Sequence, residues 1–257
     1  MEQNKQRIVV KVGTSTLTHN SGALDLWSME HLVRTLADLQ GMGHEVILVS
    51  SGAIAVGTAK LGLSERPKEL RMKQAAAAVG QCRMMHIYDK FFSEYNRSMA
   101  QILLTGDDVE DPERAEHLSN TFSALLEMGV IPVVNENDSV SSAEIETGRH
   151  KVLGDNDTLS AIVAKLSAAD LLVILTDIDG LYDKDPRSFA DAARIAHVPE
   201  ITEEIVKLAG GAGSKFGTGG MATKLTAAKI ATLSGTDMII ANGRDVCILH
   251  PIFDDSF

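Results

Sequence analysis

Short β-branched segments alternate with amphipathic helical patterns along almost the whole chain, and this alternation constrains the fold more than any other feature. The predicted strands are Ile8–Val12, Glu45–Val49, Ala100–Leu104, Val130–Val134, Leu171–Leu175 and Met238–Ala241. The first, fourth and fifth are nearly continuous apolar runs, which is typical of strands covered on both faces. Strands that alternate with helices predict an α/β fold, with a mainly parallel sheet between two layers of helices.

The spacing of apolar residues locates several helices. One helix face follows the i, i+3, i+4, i+7 rule after a candidate Ser28 cap, and consists of Met29, Leu32, Val33 and Leu36. The same spacing follows the sequence GDND, at Leu159, Ile162, Val163 and Leu166. The segment Asp111-Pro112-Glu113 is typical of a cap and first turn, and Gly129 suits the end of that helix. The last eight residues, HPIFDDSF, show no clear strand or helix pattern.

The composition limits the kinds of ligand that the chain can bind. Its 257 residues suffice for one large domain whose core needs no disulfides. The formal net charge of -11 and the aromatic content of 4% argue against binding to nucleic acids or anionic membranes. An anionic ligand therefore requires a local positive site, which draws attention to the lysines.

Neither the cysteines nor the N-terminus indicates a metal site, secretion or a membrane anchor. Cys82 and Cys247 have no metal-ligand spacing and offer no disulfide framework. The N-terminal sequence MEQNKQRIVV lacks the apolar run of a signal peptide. No stretch approaches the roughly 20 apolar residues of a membrane span. We therefore expect a cytoplasmic protein.

A lysine interrupts the first predicted strand, in the sequence VVKVGTST at residues 9–16. Burying the ammonium group of Lys11 costs several kcal/mol unless a negative group meets it. Gly13 follows at once and starts a sharp turn of small polar residues. The sequence therefore predicts that Lys11 has an anionic partner close to the end of this strand.

Polar or glycine-rich segments follow four of the predicted strands, namely KVGTST (11–16), SSGAIAVG (50–57), NENDSV (135–140) and TDIDGLYDKDP (176–186). In open α/β sheets, ligands bind at the carboxyl ends of the strands. A further glycine-rich loop at 217–220 enters a helix that carries Lys224. Backbone N–H groups at the start of such a helix bind phosphate.

Each of these signals has an ordinary structural explanation when it is taken alone. None of the loops has a Walker A or GxGxxG sequence, SSGA suits a simple strand-to-helix turn, and the glycines of 209–224 suit a linker. Lys11 alone can extend to solvent from an edge strand, and Asp155 alone can be an N-cap. Asp183 and Asp185 before Pro186 favour a turn.

The combination favours phosphoryl transfer. Two lysines, several strand-end glycines and a set of Asp and Asn residues are all directed to one edge of the predicted sheet. A phosphoryl transferase needs such a set because it must position two anions and neutralise the charge on the moving group.

Six motifs, in order, resemble those of the glutamate 5-kinase family within the amino-acid kinase superfamily. They are VVKVGTSTLT, SSGAIAVG, PVVNENDSV, GDNDTLSA, TDIDGLYDKDPR and GTGGMATK, and the match extends from residue 8 to about residue 243. The resemblance implies a three-layer αβα sandwich around a mainly parallel eight-stranded sheet. The implied reaction converts ATP and L-glutamate to ADP and γ-glutamyl phosphate with Mg²⁺, and is the first step of proline biosynthesis.

The resemblance also implies roles for individual residues. Lys11 would meet the ATP phosphates beside Gly13 and Thr14, Lys224 would meet the transferring phosphoryl group, and Asp157 would hold the two lysines in position. Further nucleotide contacts are implied for Thr176, Asp177, Thr218, Gly219, Gly220, Met221, Ala222 and Thr223. Glutamate contacts are implied for Ser51, Gly52, Ala53, Asn137, Asp138 and Asn156. No protein ligand to a metal is implied.

Residues 1–257 are expected to form a single kinase domain, with glutamate bound by the N-terminal half and ATP by the C-terminal half. Many family members carry a C-terminal PUA domain, an RNA-binding-type module, and this sequence ends at Phe257 before one would begin. We therefore expect no PUA domain and no nucleic-acid partner. The resemblance further implies a homo-oligomer, a dimer or tetramer, that is inhibited by proline.

Three other functions compete with this interpretation. The chain would act on another acceptor if it were an acetylglutamate or aspartate kinase, and it would not catalyse at all if it were a nucleotide or amino-acid sensor on the same fold. The presence of Lys11, Lys224 and Asp157 argues against a sensor, which needs no transition-state lysine. A dinucleotide-binding module is disfavoured because the chain lacks GxGxxG.

Overall fold

The structure is a computed structural model and describes residues 5–140, 153, 155–209 and 220–253. Six strands form the main sheet: β1 (Arg7–Val12), β2 (Glu45–Ser50), β3 (Ser98–Leu104), β4 (Val130–Glu136), β5 (Leu171–Thr176) and β8 (Asp237–Asn242). Two short strands, β6 (Leu181–Tyr182) and β7 (Arg194–Ile195), pair with each other in a separate antiparallel ladder. All six strands predicted from the sequence are confirmed.

Ten α-helices lie in the described residues. They are α1 (Thr14–Leu17), α2 (Leu26–Gly41), α3 (Ala53–Lys60), α4 (Leu70–Glu94), α5 (Gly106–Glu110), α6 (Pro112–Glu127), α7 (Asn156–Leu166), α8 (Glu203–Ala209), α9 (Met221–Leu233) and α10 (Leu249–Phe253). A 3₁₀ turn, Val246–Ile248, precedes α10. Helix α10 lies in a segment with no clear helix pattern, because a five-residue helix is too short to show a period. No helix in the described part of the chain is long and apolar enough to cross a membrane.

The main sheet has the strand order β3–β4–β2–β1–β5–β8, and every neighbouring pair is parallel. All six carboxyl ends therefore lie at the same edge. The chain builds the side of the sheet from β1 to β3 first and then crosses to β5 and β8. The direction of winding thus changes between β1 and β5, which is where a ligand crevice forms in open α/β sheets. The eight strands implied by the resemblance are not found in one sheet among the described residues, since β6 and β7 pair apart from it.

Helices cover both faces of the sheet, so the predicted three-layer arrangement is confirmed. On one face, Val10 and Leu48 pack with residues of α2 and α4 such as Leu36 and Tyr88. On the other face, the buried residues come from the alternate strand positions and from α6, α7 and α9, and include Val9, Ile47, Phe122, Leu159 and Ala227. Lys11 has the strand parity of Val9 and therefore points to the face of α7 and α9.

Capping residues define the ends of the predicted helices. Asp25, not Ser28, caps α2, because its side chain accepts a hydrogen bond from the Ser28 N–H at 3.1 Å. Asp111 caps α6 as predicted, with Pro112 in the first turn. Gly129 follows the end of α6 with a φ of +70°, in the left-handed region that favours glycine.

Helices α3 and α4 cross with their backbones in direct contact. A Cβ atom on Gly57 would lie 1.8 Å from the carbonyl oxygen of Ala76, and one on Gly80 would lie 1.8 Å from the carbonyl oxygen of Ala53. Glycine is required at both positions because no side chain fits in such a gap. The crossing fixes the start of α3, and with it the loop after β2, against the long helix α4.

Candidate active site

Lys11 and Lys224 are both buried, and Asp157 lies between them. The Nζ atom of Lys11 is 2.7 Å from Oδ1 of Asp157, and the Nζ atom of Lys224 is 3.1 Å from Oδ2. The relative exposures are 9% for Lys11, 3% for Lys224 and 2% for Asp157. Both ammonium groups share the carboxylate of Asp157, in a chain whose net charge is -11. The predicted anionic partner of Lys11 is therefore Asp157.

The local structure of α7 explains how Asp157 reaches both lysines. Asp155 caps this helix, and its Oδ1 accepts hydrogen bonds from the N–H groups of Asp157 and Thr158. Asp157 thus lies in the first turn, at the carboxyl edge of the sheet, while Thr223 Oγ1 donates to its Oδ2 at 2.8 Å. Burial acts to raise the pKa of Asp157, but Lys11 and Lys224 outweigh it and hold this pKa below its usual range.

The pKa of the neighbouring Asp155 moves in the opposite direction. Burial raises it, and the charge of Asp157 adds to the effect despite hydrogen bonds from the backbone of α7. The two carboxylates therefore differ in their electrostatic environment, although they are only two residues apart. Asp157 is the one that is stabilised as an anion at neutral pH.

Three helices at this edge begin with a glycine and have no side-chain cap. The N-cap residues are Gly13 for α1, Gly52 for α3 and Gly220 for α9. Helices α2, α6 and α7, in contrast, are capped by aspartate side chains. In α9 the Thr223 N–H already donates to the Gly220 carbonyl oxygen at 3.1 Å. The start of α3, which has no side-chain cap, is suited to an anionic ligand.

Gly13 and Gly52 bring two of these loops together. A Cβ atom on Gly13 would lie 3.7 Å from Nζ of Lys11, so the glycine leaves space directly beside the ammonium group. Gly52 has a φ of +104°, and a Cβ atom there would lie 3.4 Å from Cγ2 of Thr14. The loops that follow β1 and β2 are therefore in contact beside the lysine pair.

A hydrogen-bond chain connects the ends of β2 and β4 with α7 and α4. The Nδ2 atom of Asn156 lies 3.0 Å from the Ser50 carbonyl oxygen, 2.7 Å from Ser51 Oγ and 3.1 Å from Asn135 Oδ1. Asn135 in turn donates to Gln81 Oε1 at 3.1 Å. The predicted residues Ser51 and Asn156 are thus in direct contact.

Other residues predicted to contact glutamate lie next to these hydrogen bonds, around a cavity of about 420 Å³. Ala53, Asn137 and Asp138 line it, together with Gln81 of α4 and Glu136 at the end of β4. Glu136 and Asp138 place two acidic side chains in its lining. The structure therefore brings the predicted glutamate residues to one side of the lysine pair.

The residues predicted to contact the nucleotide lie on the other side of the lysine pair. They are at the carboxyl end of β5 and around the start of α9. Thr176 ends β5, and its Oγ1 donates to Asp177 Oδ1 at 3.2 Å. Asp177 is exposed and forms an ion pair with Arg187. Gly220, Met221, Ala222 and Thr223 lead to Lys224 in the first turn of α9. Thr218 and Gly219 lie outside the described residues, so their role stays a prediction.

Three residues of the site, Asn135, Glu136 and Gln81, were not among the predicted site residues. Asn135 is the first residue of NENDSV, and its position in a buried strand gave the only available signal. Gln81 lies inside an alanine-rich helix and shares no pattern with the other candidates. The connection of these two amide side chains to Ser51 and Asn156 depends on packing between elements that are distant in the sequence.

Comparison with known proteins identifies the family. The family model for the amino acid kinase family matches residues 6–242. A curated glutamate 5-kinase from Clostridium perfringens is 55% identical over 252 residues, which are 98% of this chain and 93% of that relative. A glutamate 5-kinase from Caldanaerobacter subterraneus is 56% identical over 96% of this chain, which spans only 64% of that longer relative.

Solved structures with low sequence identity share the fold. Carbamate kinase from Giardia lamblia bound to AMP-PNP superposes with a TM-score of 0.66 at 16% identity, over 98% of this chain and 97% of that one. Isopentenyl phosphate kinase from T. acidophilum gives a TM-score of 0.63 at 17% identity, over 97% of each chain. Both superpositions cover nearly the whole chain and therefore both sides of the sheet.

Proposed function

The chain belongs to the amino acid kinase family and, within it, to the glutamate 5-kinases, and we propose that its cleft transfers the γ-phosphoryl group of ATP to the γ-carboxylate of L-glutamate. The observation that carries the proposal is the buried lysine pair bridged by Asp157 at the carboxyl edge of the sheet. The two lysines lie beside helix N-termini that have no side-chain caps. Such a site is suited to holding anions and to stabilising charge that develops between them.

The side of the sheet formed by β5 and β8, together with the loop after β1, supports a nucleotide site. Lys11, Gly13 and Thr14 would contact the ATP phosphates from the loop after β1, and Gly220 to Lys224 would do so from the start of α9. Thr176 and Asp177 would line the nucleotide at the end of β5. The structural neighbour bound to AMP-PNP, an analogue of ATP, is consistent with a nucleotide in this fold.

The glutamate site would lie on the side of β2 and β4. Ser51, Gly52 and Ala53 would offer a hydroxyl and backbone N–H groups to a carboxylate, because α3 begins there without a side-chain cap. Asn156 would hold Ser51, and Asp138 would receive the α-ammonium group, with Asn137 beside it. The proposed single domain thus binds its two substrates on opposite sides of the lysine pair, with the amino acid on the N-terminal half.

The chemical step needs positioning and charge stabilisation rather than a general base. A γ-carboxylate oxygen of glutamate attacks the γ-phosphorus of ATP, and the bond to the β,γ-bridging oxygen breaks to release ADP. No proton has to be removed, since a carboxylate with a pKa of about 4.3 is ionised at pH 7. Lys224 would follow the moving phosphoryl group, and Lys11 would stabilise the negative charge on the phosphates.

Mg²⁺ is the metal expected for this reaction, and the described residues offer it no prepared cluster of ligands. Within the described residues no group of three His, Cys, Asp or Glu side chains could hold a metal ion. The nearest carboxylate to the lysines, Asp157, is already held by both ammonium groups. Mg²⁺ typically binds through substrate phosphates and waters with one or two carboxylates, so it would arrive on the nucleotide.

A Mg-ATP assay with a panel of acceptors tests the proposed function. The acceptors are glutamate, N-acetylglutamate, aspartate, UMP and carbamate, and hydroxylamine traps an acyl phosphate as a hydroxamate. We expect ADP release and hydroxamate formation with glutamate. The proposal is wrong if glutamate yields no hydroxamate while another acceptor is phosphorylated.

The family resemblance alone leads us to propose a homo-oligomer, inhibition by proline and a cytoplasmic location. Sedimentation of the purified protein tests the oligomeric state. Proline added to the hydroxamate assay tests the inhibition, and cell fractionation tests the location.

A further inference from the structure

A buried hydrogen bond joins the end of β2 to the long helix α4. The Oγ atom of Ser50 lies 2.9 Å from the hydroxyl oxygen of Tyr88, and both residues are 0% exposed. Tyr88 packs among apolar residues such as Leu36 and Leu48, where the ring of a phenylalanine would fill nearly the same volume. Packing alone therefore does not explain the Tyr88 hydroxyl, and its partner Ser50 does.

The sheet stops holding the backbone of β2 at Ser50. The ladder between β2 and β4 extends to Val49, and the ladder between β2 and β1 extends to Ser50. Ser51, Gly52 and Ala53 follow and lead the chain into α3, with Gly52 in the left-handed region. The orientation of these three residues, which we call the β2–α3 turn, therefore depends on contacts other than sheet pairing.

Ser50 is held from both faces of the sheet. Its side chain has the strand parity of Leu48 and points to α4, where it meets Tyr88. Its carbonyl oxygen accepts a hydrogen bond from Asn156 Nδ2 at 3.0 Å, from the first turn of α7 on the opposite face. The same nitrogen lies 2.7 Å from Ser51 Oγ. The peptide that opens the β2–α3 turn is thus held between α4 and α7.

Helix α4 also contacts the other end of the β2–α3 turn. A Cβ atom on Gly80 would lie 1.8 Å from the Ala53 carbonyl oxygen, so the backbones of α4 and α3 touch there. Gly80 and Tyr88 both belong to α4 and lie two turns apart. One rigid helix therefore contacts the residue before the turn and the last residue of the turn.

We propose that Tyr88 is a positioning residue for the amino-acid substrate. Its hydroxyl fixes Ser50 and thereby orients the β2–α3 turn, whose hydroxyl and backbone N–H groups receive a carboxylate of glutamate in the proposed function. The inference rests on that function, which assigns the turn to glutamate. Tyr88 is fully buried and acts through Ser50 rather than by touching the substrate.

The substitution Tyr88→Phe tests the inference by removing one oxygen and keeping the ring. We expect kcat/KM for glutamate in the hydroxamate assay to fall about 3- to 10-fold, the equivalent of one neutral hydrogen bond. The KM for ATP should keep its wild-type value, since the proposed nucleotide residues lie on other elements. Ser50→Ala breaks the same contact from the other side and should show the same defect, so it replaces Tyr88→Phe if that variant does not fold.

The double variant Ser50→Ala with Tyr88→Phe separates positioning from stability. Each single variant leaves one buried hydroxyl without its partner, so both should melt below the wild-type temperature. The double variant removes both hydroxyls, and its Tm should therefore recover towards the wild-type value. Its kcat/KM for glutamate should stay low, because the link between β2 and α4 is still missing.

Tyr95→Phe is the matched control. Tyr95 follows the last residue of α4, shortly before β3 begins, and therefore lies at the edge of the sheet opposite to the proposed site. Its hydroxyl donates a hydrogen bond to Glu30 of α2. This variant also breaks a hydrogen bond between α4 and another element, so it can lower Tm. We expect its kcat/KM for glutamate to equal that of the wild type.

The outcomes separate the two claims. If the wild-type protein forms no hydroxamate from glutamate, the proposed function fails and the inference fails with it. If the wild type does form it, the role of Tyr88 is overturned when both single variants keep the wild-type kcat/KM for glutamate. It is also overturned when the double variant recovers kcat/KM together with Tm, because the hydrogen bond then only satisfies two buried hydroxyls.

Discussion

The substitution Gly80→Ala should destabilise the protein, although the same change in a helix usually does the opposite. Gly80 lies in the interior of α4, where alanine is about 1 kcal/mol more favourable than glycine by intrinsic helix propensity. A Cβ atom at this position would lie 1.8 Å from the Ala53 carbonyl oxygen, whereas ordinary contacts begin near 3.4 Å. The sign of the stability change therefore tests the helix crossing directly.

The size of the overlap gives the expected effect. The two helices have to separate by about 1.6 Å, the difference between the two distances. Overpacking of a well-packed site typically costs about 1–3 kcal/mol. For a chain of about this length each kcal/mol lowers Tm by about 2–4 °C, so we expect Tm to fall by about 2–12 °C.

The same movement should impair catalysis, because Ala53 and its neighbours Ser51 and Gly52 are predicted to contact glutamate. A misplacement of about 1 Å in an active site can cost about 100-fold in rate. We therefore expect kcat/KM for glutamate to fall by up to about that factor. The KM for ATP should change less, since the nucleotide residues lie on other elements.

Thermal melts and hydroxamate kinetics of the purified variant check both effects. Gly41→Ala, at the last residue of α2, is the matched control, because a Cβ atom there meets only the end of the Arg97 side chain, at 3.1 Å. This control should melt at or above the wild-type temperature. A Gly80→Ala protein that is as stable as wild type and has normal glutamate kinetics would refute the reasoning.

Two further predictions concern the proposed catalytic and substrate residues. Lys224→Met should lower kcat and kcat/KM together by about 100- to 1,000-fold, which is the range for loss of one donor to a developing charge. Near-normal turnover of this variant would assign Lys224 a structural role. Asp138→Ala should raise the KM for glutamate by about 10- to 150-fold, because a charge-assisted hydrogen bond to the α-ammonium group is lost. The KM for ATP should not rise with the KM for glutamate in this variant. Equal shifts in both KM values would indicate that Asp138 only closes a turn.

The arrangement of the sheet could be predicted from the sequence because its strands are short apolar runs separated by helical patterns. The predicted bounds of the strands missed their polar ends. β4, for example, continues to Glu136, since backbone pairing does not require an apolar side chain. β6 and β7 were not predicted, because strands of two residues have no measurable period.

The lysine pair could be predicted because parallel strands bring their carboxyl ends to one edge. Lys11 lies near the end of β1, and Asp157 and Lys224 lie in the first turns of α7 and α9, so topology brings all three to this edge. The role of Asp157 between the lysines was implied by the family resemblance. The link from Asn135 to Gln81 depends on how α4 packs against β4, and nothing in the sequence QAAAAVG indicates it. Gly57 and Gly80 are likewise explained only by the crossing of α3 and α4.

The last prediction concerns the pH dependence of Asp157→Asn. In the folded protein the pKa of Asp157 lies below its usual range, because Lys11 and Lys224 outweigh the effect of burial. Its stabilising contribution is therefore present above the unfolded-state pKa of about 3.9 and is lost as the pH falls through the lower folded-state pKa.

A neutral amide at position 157 leaves two buried ammonium groups without their carboxylate. Removing one partner of a buried ion pair costs about 3–5 kcal/mol, which corresponds to a fall in Tm of about 6–20 °C at pH 7. Below about pH 4 the difference in Tm between wild type and variant should narrow, because Asp157 of the unfolded wild-type chain binds a proton there, whereas Asp157 of the folded protein does so only at lower pH. Asp155→Asn is the control, since asparagine is an equally good N-cap and burial already disfavours the ionised Asp155 carboxylate. This control should lower Tm only slightly at pH 7. A difference in Tm for Asp157→Asn that stays constant from pH 7 to pH 3 would mean that packing, and not charge, explains the loss.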